Sequence, residues 1–209
     1  METRSMMLRR AFSEASGYVM ELARSAGDAQ WNSAGLGDWT LAELLVHTSR
    51  AASTITTYAE VPAERTLDSA AAYYVAVLAD PSIHGSVAER AKEQAAGVDE
   101  PLLEYLERTF EEADLTLART HSSAVLGTFA GGITLEDYLP TRITELVVHA
   151  IDIADALDVD PQVPASAMAV TLETLSQLAS RRPEVVAPAQ IVRALTGRGQ
   201  LSPDANVLG

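Results

Sequence analysis

The sequence predicts an all-α protein built as a helical bundle. Apolar residues recur at three- and four-residue spacings through several long segments, which is the period of an amphipathic helix. These segments have the lengths of bundle helices, and strand-type alternation is almost absent between them. A chain of 209 residues is also long enough to bury a full hydrophobic core. We therefore expect one helical domain with an appendage.

Composition limits the function classes. With 47% hydrophobic and 21% charged residues, the chain has the make-up of an ordinary globular protein. No apolar run is long enough to cross a bilayer, and the polar N-terminus lacks a secretory signal, so we expect a cytoplasmic protein without a membrane partner. A net charge of −14 argues against nucleic-acid binding. Because the chain has no cysteine, any sulfur chemistry must use a small-molecule thiol.

The first half of the chain predicts two long helices joined by a loop. Residues 4–26 have helical periodicity, and a T-x-x-E capping box of Thr40 and Glu43 predicts a second helix from Leu41 onward. The loop carries Trp31 and Trp39, which we interpret as covering one end of the core rather than lining a pocket. The predicted core positions of the second helix are Leu41, Leu44, Leu45, Thr48 and Ala52.

Further helical segments are predicted at residues 66–79, 86–96 and 101–120. The last of these places Glu104 and Arg108 at the spacing of a surface ion pair. After it, residues 121–134 predict an extended piece or a short hairpin edge that ends in a turn at Gly131 and Gly132.

The main helix is predicted from Thr134, its N-cap, to about Asp158, with Pro140 beginning or kinking it near its start. A last helix is predicted for residues 165–180, and residues 191–209 are expected to be partly extended or loose. We accordingly divide the chain into a bundle at residues 1–160 and a C-terminal helix and tail at residues 161–209, packed on the bundle.

The main helix carries the most suggestive pair of side chains. Glu145 and His149 stand four residues apart, so they project from one helix face and can meet at one atom. Arg142 and Asp152 extend the same stripe, while the rest of the helix is largely apolar and therefore buried. A carboxylate and an imidazole in such a setting need a hydrogen bond, an opposite charge or a metal ion.

His47 on the second helix offers a third ligand. Together with Glu145 and His149 it would form a two-histidine, one-carboxylate set, which suits zinc or a similar divalent ion. The spacing alone is also compatible with two arrangements without a metal. In one, Glu145 and His149 form a surface pair; in the other, the histidine is a hydrogen-bonded core residue. Arg142 can clamp a substrate carboxylate or pair with a neighbouring acid. The remaining histidines, His84 and His121, are expected to face solvent.

Two segments resemble a known family. GLGDWTLAELLVHTSRA and YLPTRITELVVHAIDIADALD, the latter with the spacing R-x-x-E-x-x-x-H-x-x-D, are similar to the N-terminal domain of mycothiol-dependent maleylpyruvate isomerases, within the DinB-like group of helical metalloproteins. The resemblance implies a four-helix bundle, here with extra short helices and a short C-terminal appendage. It also implies a divalent metal, most often zinc, held by His47, Glu145 and His149.

The implied function is a metal-dependent isomerase or S-transferase. A low-molecular-weight thiol such as mycothiol would react with a small electrophilic substrate, Arg142 would bind an anionic substrate group, and Asp152 would orient a site residue. A noncatalytic bundle that binds a metal or another ligand stays open as the alternative, and a homodimer is compatible with either. Full-length isomerases of the family carry a second α/β domain after the bundle. In this sequence, residues 193–198, RALTGR, resemble the end of such a domain without its body.

Overall fold

A computed structural model describes residues 2–79, 92–202 and 205–208, apart from the side chain of Asp28. The fold is mainly helical, as predicted. Its helices are α1 (Arg4–Ser25), α2 (Leu41–Ala59), α3 (Ala70–Leu78), α4 (Leu102–Arg119), α5 (Leu135–Ala156), α6 (Ala165–Arg181) and α7 (Pro188–Leu195). Its strands are β1 (Arg65–Leu67), β2 (Val125–Thr128) and β3 (Gly131–Thr134), and a 3₁₀ turn spans Asp28–Gln30.

Helices α1, α2, α4 and α5 form the bundle. α1 packs on α4 and α5, and α2 packs on the same two helices from the other side. Their inward faces supply one continuous apolar core, whose large, fully buried side chains include Phe12, Leu44, Ile55, Leu106, Tyr138 and Ile143. α6 lies against α1, α3 and α5. The predicted core stripe of α2 is confirmed, because all five of its residues are buried.

Helix starts follow the local sequence. The capping box of α2 is confirmed: Thr40 Oγ1 accepts a hydrogen bond from Glu43 N at 3.2 Å, and Glu43 Oε2 accepts one from Thr40 N at 2.7 Å. Thr134 caps α5 through its hydroxyl oxygen, which accepts from Asp137 N at 3.3 Å. Because α5 begins at Leu135, Pro140 lies inside the helix rather than at its first residue.

A small sheet is the main departure from the predicted fold. Its strand order is β1-β3-β2, with β1 parallel and β2 antiparallel to β3. Residues 65–67 therefore form a strand, although the first two of the predicted 66–79 helix fall in it. Gly131 and Gly132 begin β3 instead of forming a turn. A Cβ atom at Gly132 would collide with the carbonyl oxygen of Glu64, so this close strand pairing requires glycine.

Three smaller predictions were wrong or only partly tested. Arg108 pairs with Glu100 and Glu112 rather than with Glu104. Residues 188–195 are helical, although the segment from 191 onward was expected to be partly extended or loose. Of the predicted helix at 86–96, residues 92–96 are helical and the rest lie outside the described residues. In the described part of the chain, no helix has both the length and the hydropathy needed to cross a membrane.

Candidate functional site

Helices α2 and α5 bring the two predicted histidines into contact. The ring centroids of His47 and His149 lie 4.9 Å apart, with the ring planes at 82°. On the other side of His47, the indole of Trp39 lies 4.6 Å away between centroids. Both imidazoles are partly buried, so the bundle places them at the edge of its core rather than on its surface.

On α5, His149 is held between two carboxylates. Its Nδ1 lies 3.0 Å from Asp152 Oδ2, and its Nε2 lies 3.8 Å from Glu145 Oε2. In a neutral ring the hydrogen bond to Asp152 assigns the proton to Nδ1, because a carboxylate can only accept. The lone pair of Nε2 then faces Glu145. This is the orienting contact expected of Asp152, and it leaves the nitrogen nearer Glu145 as the one able to bind a ligand.

Glu145 is fixed by a buried tyrosine from α3. The hydroxyl of Tyr74 donates to Glu145 Oε1 at 2.9 Å and also lies 3.1 Å from the carbonyl oxygen of Thr141. Burial, together with the negative charge of Glu145, raises the pKa of Tyr74 well above its ordinary value. Tyr74 therefore stays a phenol near neutral pH and acts as a hydrogen-bond donor to the carboxylate.

Arg142 is buried one turn before Glu145, with only 8% of its surface exposed. Its guanidinium carbon lies 4.8 Å from the ring centre of Tyr138 and 5.7 Å from that of Tyr73, and its Nε donates to Thr141 Oγ1 at 2.9 Å. Burial alone would lower the pKa of Arg142, but Tyr138, Tyr73 and Glu145 raise it above its ordinary value. The side chain is therefore a permanent cation.

The ion pairs considered for Arg142 are absent among the described residues. Neither Glu145 nor Asp152 lies within ion-pair distance of its guanidinium, because Asp152 turns to His149 and Glu145 to Tyr74. Stacking on tyrosine rings leaves part of the guanidinium without a carboxylate partner. A cation held in this way can bind an anionic ligand.

The side chains of His47, Arg142, Glu145 and His149 face one cavity of about 340 Å³. It is lined by Trp39, His47, Arg50, Tyr73, Tyr74, Val77, Leu78, Phe129, Arg142, Glu145, Val148, His149 and Leu208. A smaller cavity of about 90 Å³ shares the two histidines, both arginines and Glu145. The larger volume is in the range of small-molecule sites, roughly 300–1,000 Å³. Two arginines against one carboxylate make the cavity locally positive in a strongly acidic chain.

Arg50 is a site residue that the sequence analysis missed. It lies one turn after His47 on α2, where its Nη1 donates to Gln94 Oε1 at 2.9 Å. Gln94 in turn donates from Nε2 to the hydroxyl of Tyr105 on α4, also at 2.9 Å. This chain of hydrogen bonds holds a second cation at the cavity. The sequence feature that could have indicated Arg50 as a site residue is its i, i+3 spacing from His47.

The other predicted site residues divide between the cavity and the surface. Trp31 and Trp39 both pack against the core as expected, and Trp39 in addition lines the cavity. His121 is exposed, as predicted, and His84 lies outside the described residues. Tyr73, Tyr74 and Phe129 were missed: the two tyrosines lie in an apolar run typical of a core, and Phe129 lies in the segment predicted as a hairpin edge.

The donor set fits a divalent ion by its chemistry. Two imidazoles and a carboxylate from His47, His149 and Glu145 line one cavity, and the Asp152 bond to His149 is typical of a metal-binding histidine. As the side chains stand, however, no group of three or more His, Asp or Glu residues within 2–79, 92–202 and 205–208 is arranged to hold a metal ion. The fit of these residues to a divalent ion therefore rests on the chemical type of the three side chains and on the cavity that they share.

Fold and site together define a DinB-like helical bundle, in which inward-facing residues of neighbouring helices meet at one end of the core. The family model for the mycothiol maleylpyruvate isomerase N-terminal domain matches residues 12–154, and the chain belongs to this family. The resemblance seen in the sequence is thereby confirmed. No curated protein and no solved structure matches the chain.

Proposed function

We propose that the protein is a divalent-metal- and thiol-dependent isomerase or S-transferase that acts on a small electrophilic substrate. The observation that carries the proposal is the meeting of four motif residues in one cavity of a chain that belongs to this family. These residues are His47, Arg142, Glu145 and His149. The cavity has the volume of a small-molecule site, and its excess positive charge suits an anionic substrate or thiol.

Each polar residue has a role that follows from its contacts. Bound by His47, Glu145 and His149, a zinc ion would supply a Lewis acid that lowers the pKa of a thiol. Asp152 orients His149, and Tyr74 holds Glu145 by donating to Oε1. Arg142 is charged at every physiological pH and would bind an anionic group of the substrate.

The absence of cysteine makes an external thiol necessary for sulfur chemistry. Mycothiol is the thiol that the family suggests. Its sulfur would add to an activated double bond, the resulting single bond would rotate, and elimination would release the trans product and regenerate the thiol. With a substrate that carries a leaving group, the sulfur would form a bond to the carbon as the bond to the leaving group breaks; the group would depart with the electron pair, the thiol proton would be released, and the product would be a thioether. In both reactions Arg142 would hold the substrate in the cavity.

Elemental analysis of untagged protein tests the metal site. We expect near-stoichiometric zinc or another divalent ion in the wild type, and loss of the ion in His47→Ala and in His149→Ala. His121→Ala is the matched control, because His121 is exposed and lies outside the cavity. Wild-type protein that stays metal-free after incubation with zinc would overturn the metal-dependent function.

A noncatalytic bundle that binds a metal or another ligand is the second candidate. One observation favours the form of this candidate that binds a ligand other than a metal: the described residues contain no group arranged to hold a metal ion. The two candidate functions differ in whether the protein converts a substrate. Conversion of an activated cis-alkene that requires mycothiol and is lost in Arg142→Gln would support the enzyme. Ligand binding without turnover across a series of electrophiles and thiols would support the binding protein.

A further inference from the structure

One part of the cavity lining, called here the apolar rim, consists of apolar side chains. Trp39, Val77, Leu78, Val148 and Leu208 form this rim, and they come from four separate parts of the chain. The rest of the lining consists of polar residues of α2 and α5, two tyrosines of α3 and Phe129. A ligand that fills the whole cavity must therefore combine a charged or polar group with an apolar body.

Leu208 belongs to a segment that is fastened to the bundle. Arg182, which follows α6, donates from Nη1 to the carbonyl oxygen of Val207 at 2.6 Å. Val207 and Leu208 pack against a small buried cluster of Ala71, Tyr74 and Leu178. The cluster includes Tyr74, the tyrosine that donates to Glu145. The segment of residues 205–208 therefore contacts both the apolar rim and a tyrosine that positions a charged residue of the site.

Leu208 differs from the other rim residues in how it is supported. Val77 and Leu78 lie on α3 and Val148 lies on α5, so their positions are set by helices that pack on the bundle. Leu208 lies outside the helices and strands, and its position depends on the Arg182 bond and on packing against the small cluster. A change at Leu208 can therefore alter the cavity without altering a helix.

We propose that Leu208 determines specificity by limiting how far the apolar body of the ligand can extend. The ligand is a small anion whose charged group lies near Arg142 and whose unbranched apolar part ends against Leu208. This deepens the proposed function and rests on it only for the location of the site, since neither Arg142 nor Leu208 requires a bound metal. Each methylene that the rim buries should tighten binding by about fourfold.

Calorimetric titration of linear carboxylates, from acetate to decanoate, tests this proposal on metal-free and on zinc-treated protein. For the wild type we expect affinity to rise by about fourfold per methylene up to a limiting chain length. Leu208→Ala should move that limit to longer carboxylates by two or three methylenes, and Leu208→Phe should move it to shorter ones. Leu201→Ala is the matched control, because Leu201 is exposed and does not line the cavity.

The outcomes separate this inference from the proposed function. A limiting length that is the same in wild type, Leu208→Ala and Leu208→Phe would overturn the role of Leu208, provided that circular dichroism shows all three folded. Failure of every carboxylate to bind the wild type would overturn it as well. If zinc does not bind but the limiting length moves as expected, the inference stands and only the metal-dependent function fails.

Discussion

At the scale of single residues, Tyr74 links the core of the molecule to its candidate site. It is buried on α3, yet its hydroxyl reaches Glu145 Oε1 at 2.9 Å across the cavity lining. Because its pKa is raised by burial and by the charge of Glu145, the phenol keeps its proton and the bond persists through the neutral range. Tyr74 therefore fixes the direction in which the carboxylate faces the histidines.

Tyr74→Phe should weaken both zinc binding and the fold. The change removes a hydrogen bond to a charged group, so we expect a loss of about 1.5–3 kcal/mol in the free energy of unfolding. Without its donor, Glu145 can turn away from the site, and zinc affinity should fall by roughly 10–100-fold. Competition with a zinc chelator measures the affinity, and urea denaturation measures the stability.

Tyr138→Phe provides the matched control for this comparison. Tyr138 is also a buried tyrosine, but its hydroxyl donates to Thr54 Oγ1 at 3.1 Å and its ring remains in phenylalanine. We expect a loss of stability with unchanged zinc affinity. Equal zinc affinities in wild type and Tyr74→Phe would show that Tyr74 does not position Glu145.

Residues of the site differ in how far the sequence predicts them. Glu145 and His149 stand at i, i+4, so one helix is enough to bring them together, and their contact follows from local geometry. Tyr74, in contrast, sits in the run AAAYYVAVL, where an aromatic pair is typical of a core. Its contact with Glu145 depends on how α3 packs against α5, which residue spacing within α3 cannot show.

At the scale of elements, the start of α2 sets the position of two site residues. Thr40 and Glu43 satisfy each other's backbone amides, and Trp39 directly precedes the cap while His47 follows two turns later. Thr40→Ala removes the acceptor for Glu43 N, so we expect a loss of about 0.5–2 kcal/mol in the free energy of unfolding. Urea denaturation followed by circular dichroism measures this loss.

Thr57→Ala is the control for the cap. Thr57 lies on the exposed face near the end of the same helix, where its hydroxyl donates to the carbonyl oxygen of Ser53. Alanine has the higher helix propensity, so stability should be unchanged or slightly greater. A Thr40→Ala variant as stable as Thr57→Ala would show that the capping box contributes nothing to the fold.

The elements themselves were predicted where they are long and missed where they are short. Helices α1, α2, α4, α5 and α6 each span at least four turns, which is enough for a 3.6-residue period to be visible. β1 has three residues and is a strand only because it pairs with β3, a contact between distant parts of the chain. α7 was missed because its eight residues span little more than two turns, although Pro188 occupies the first helical position, where proline is favoured.

At the scale of the whole molecule, the site joins two helices that are far apart in the sequence. His47 lies on α2, whereas Glu145 and His149 lie on α5, and these helices pack directly on each other in the bundle. In an unfolded chain the three side chains would seldom approach one another. A ligand that they share therefore binds the folded state in preference to the unfolded state, and its binding free energy adds to the stability of the bundle.

Zinc should consequently raise the melting temperature of the metal-free protein. At a free zinc concentration about 100 times the dissociation constant, the stabilisation is about 2.7 kcal/mol. For a chain of this size that corresponds to a shift of about 5–10 °C in a calorimetric scan. His47→Ala should abolish most of the shift, because the two ligands left on α5 also lie together in an isolated helix and hardly distinguish folded from unfolded chains. His121→Ala should keep the full shift. A shift of the same size in His47→Ala would mean that His47 is not a zinc ligand, and that zinc stabilises the folded protein through a site that α2 and α5 do not share in this way.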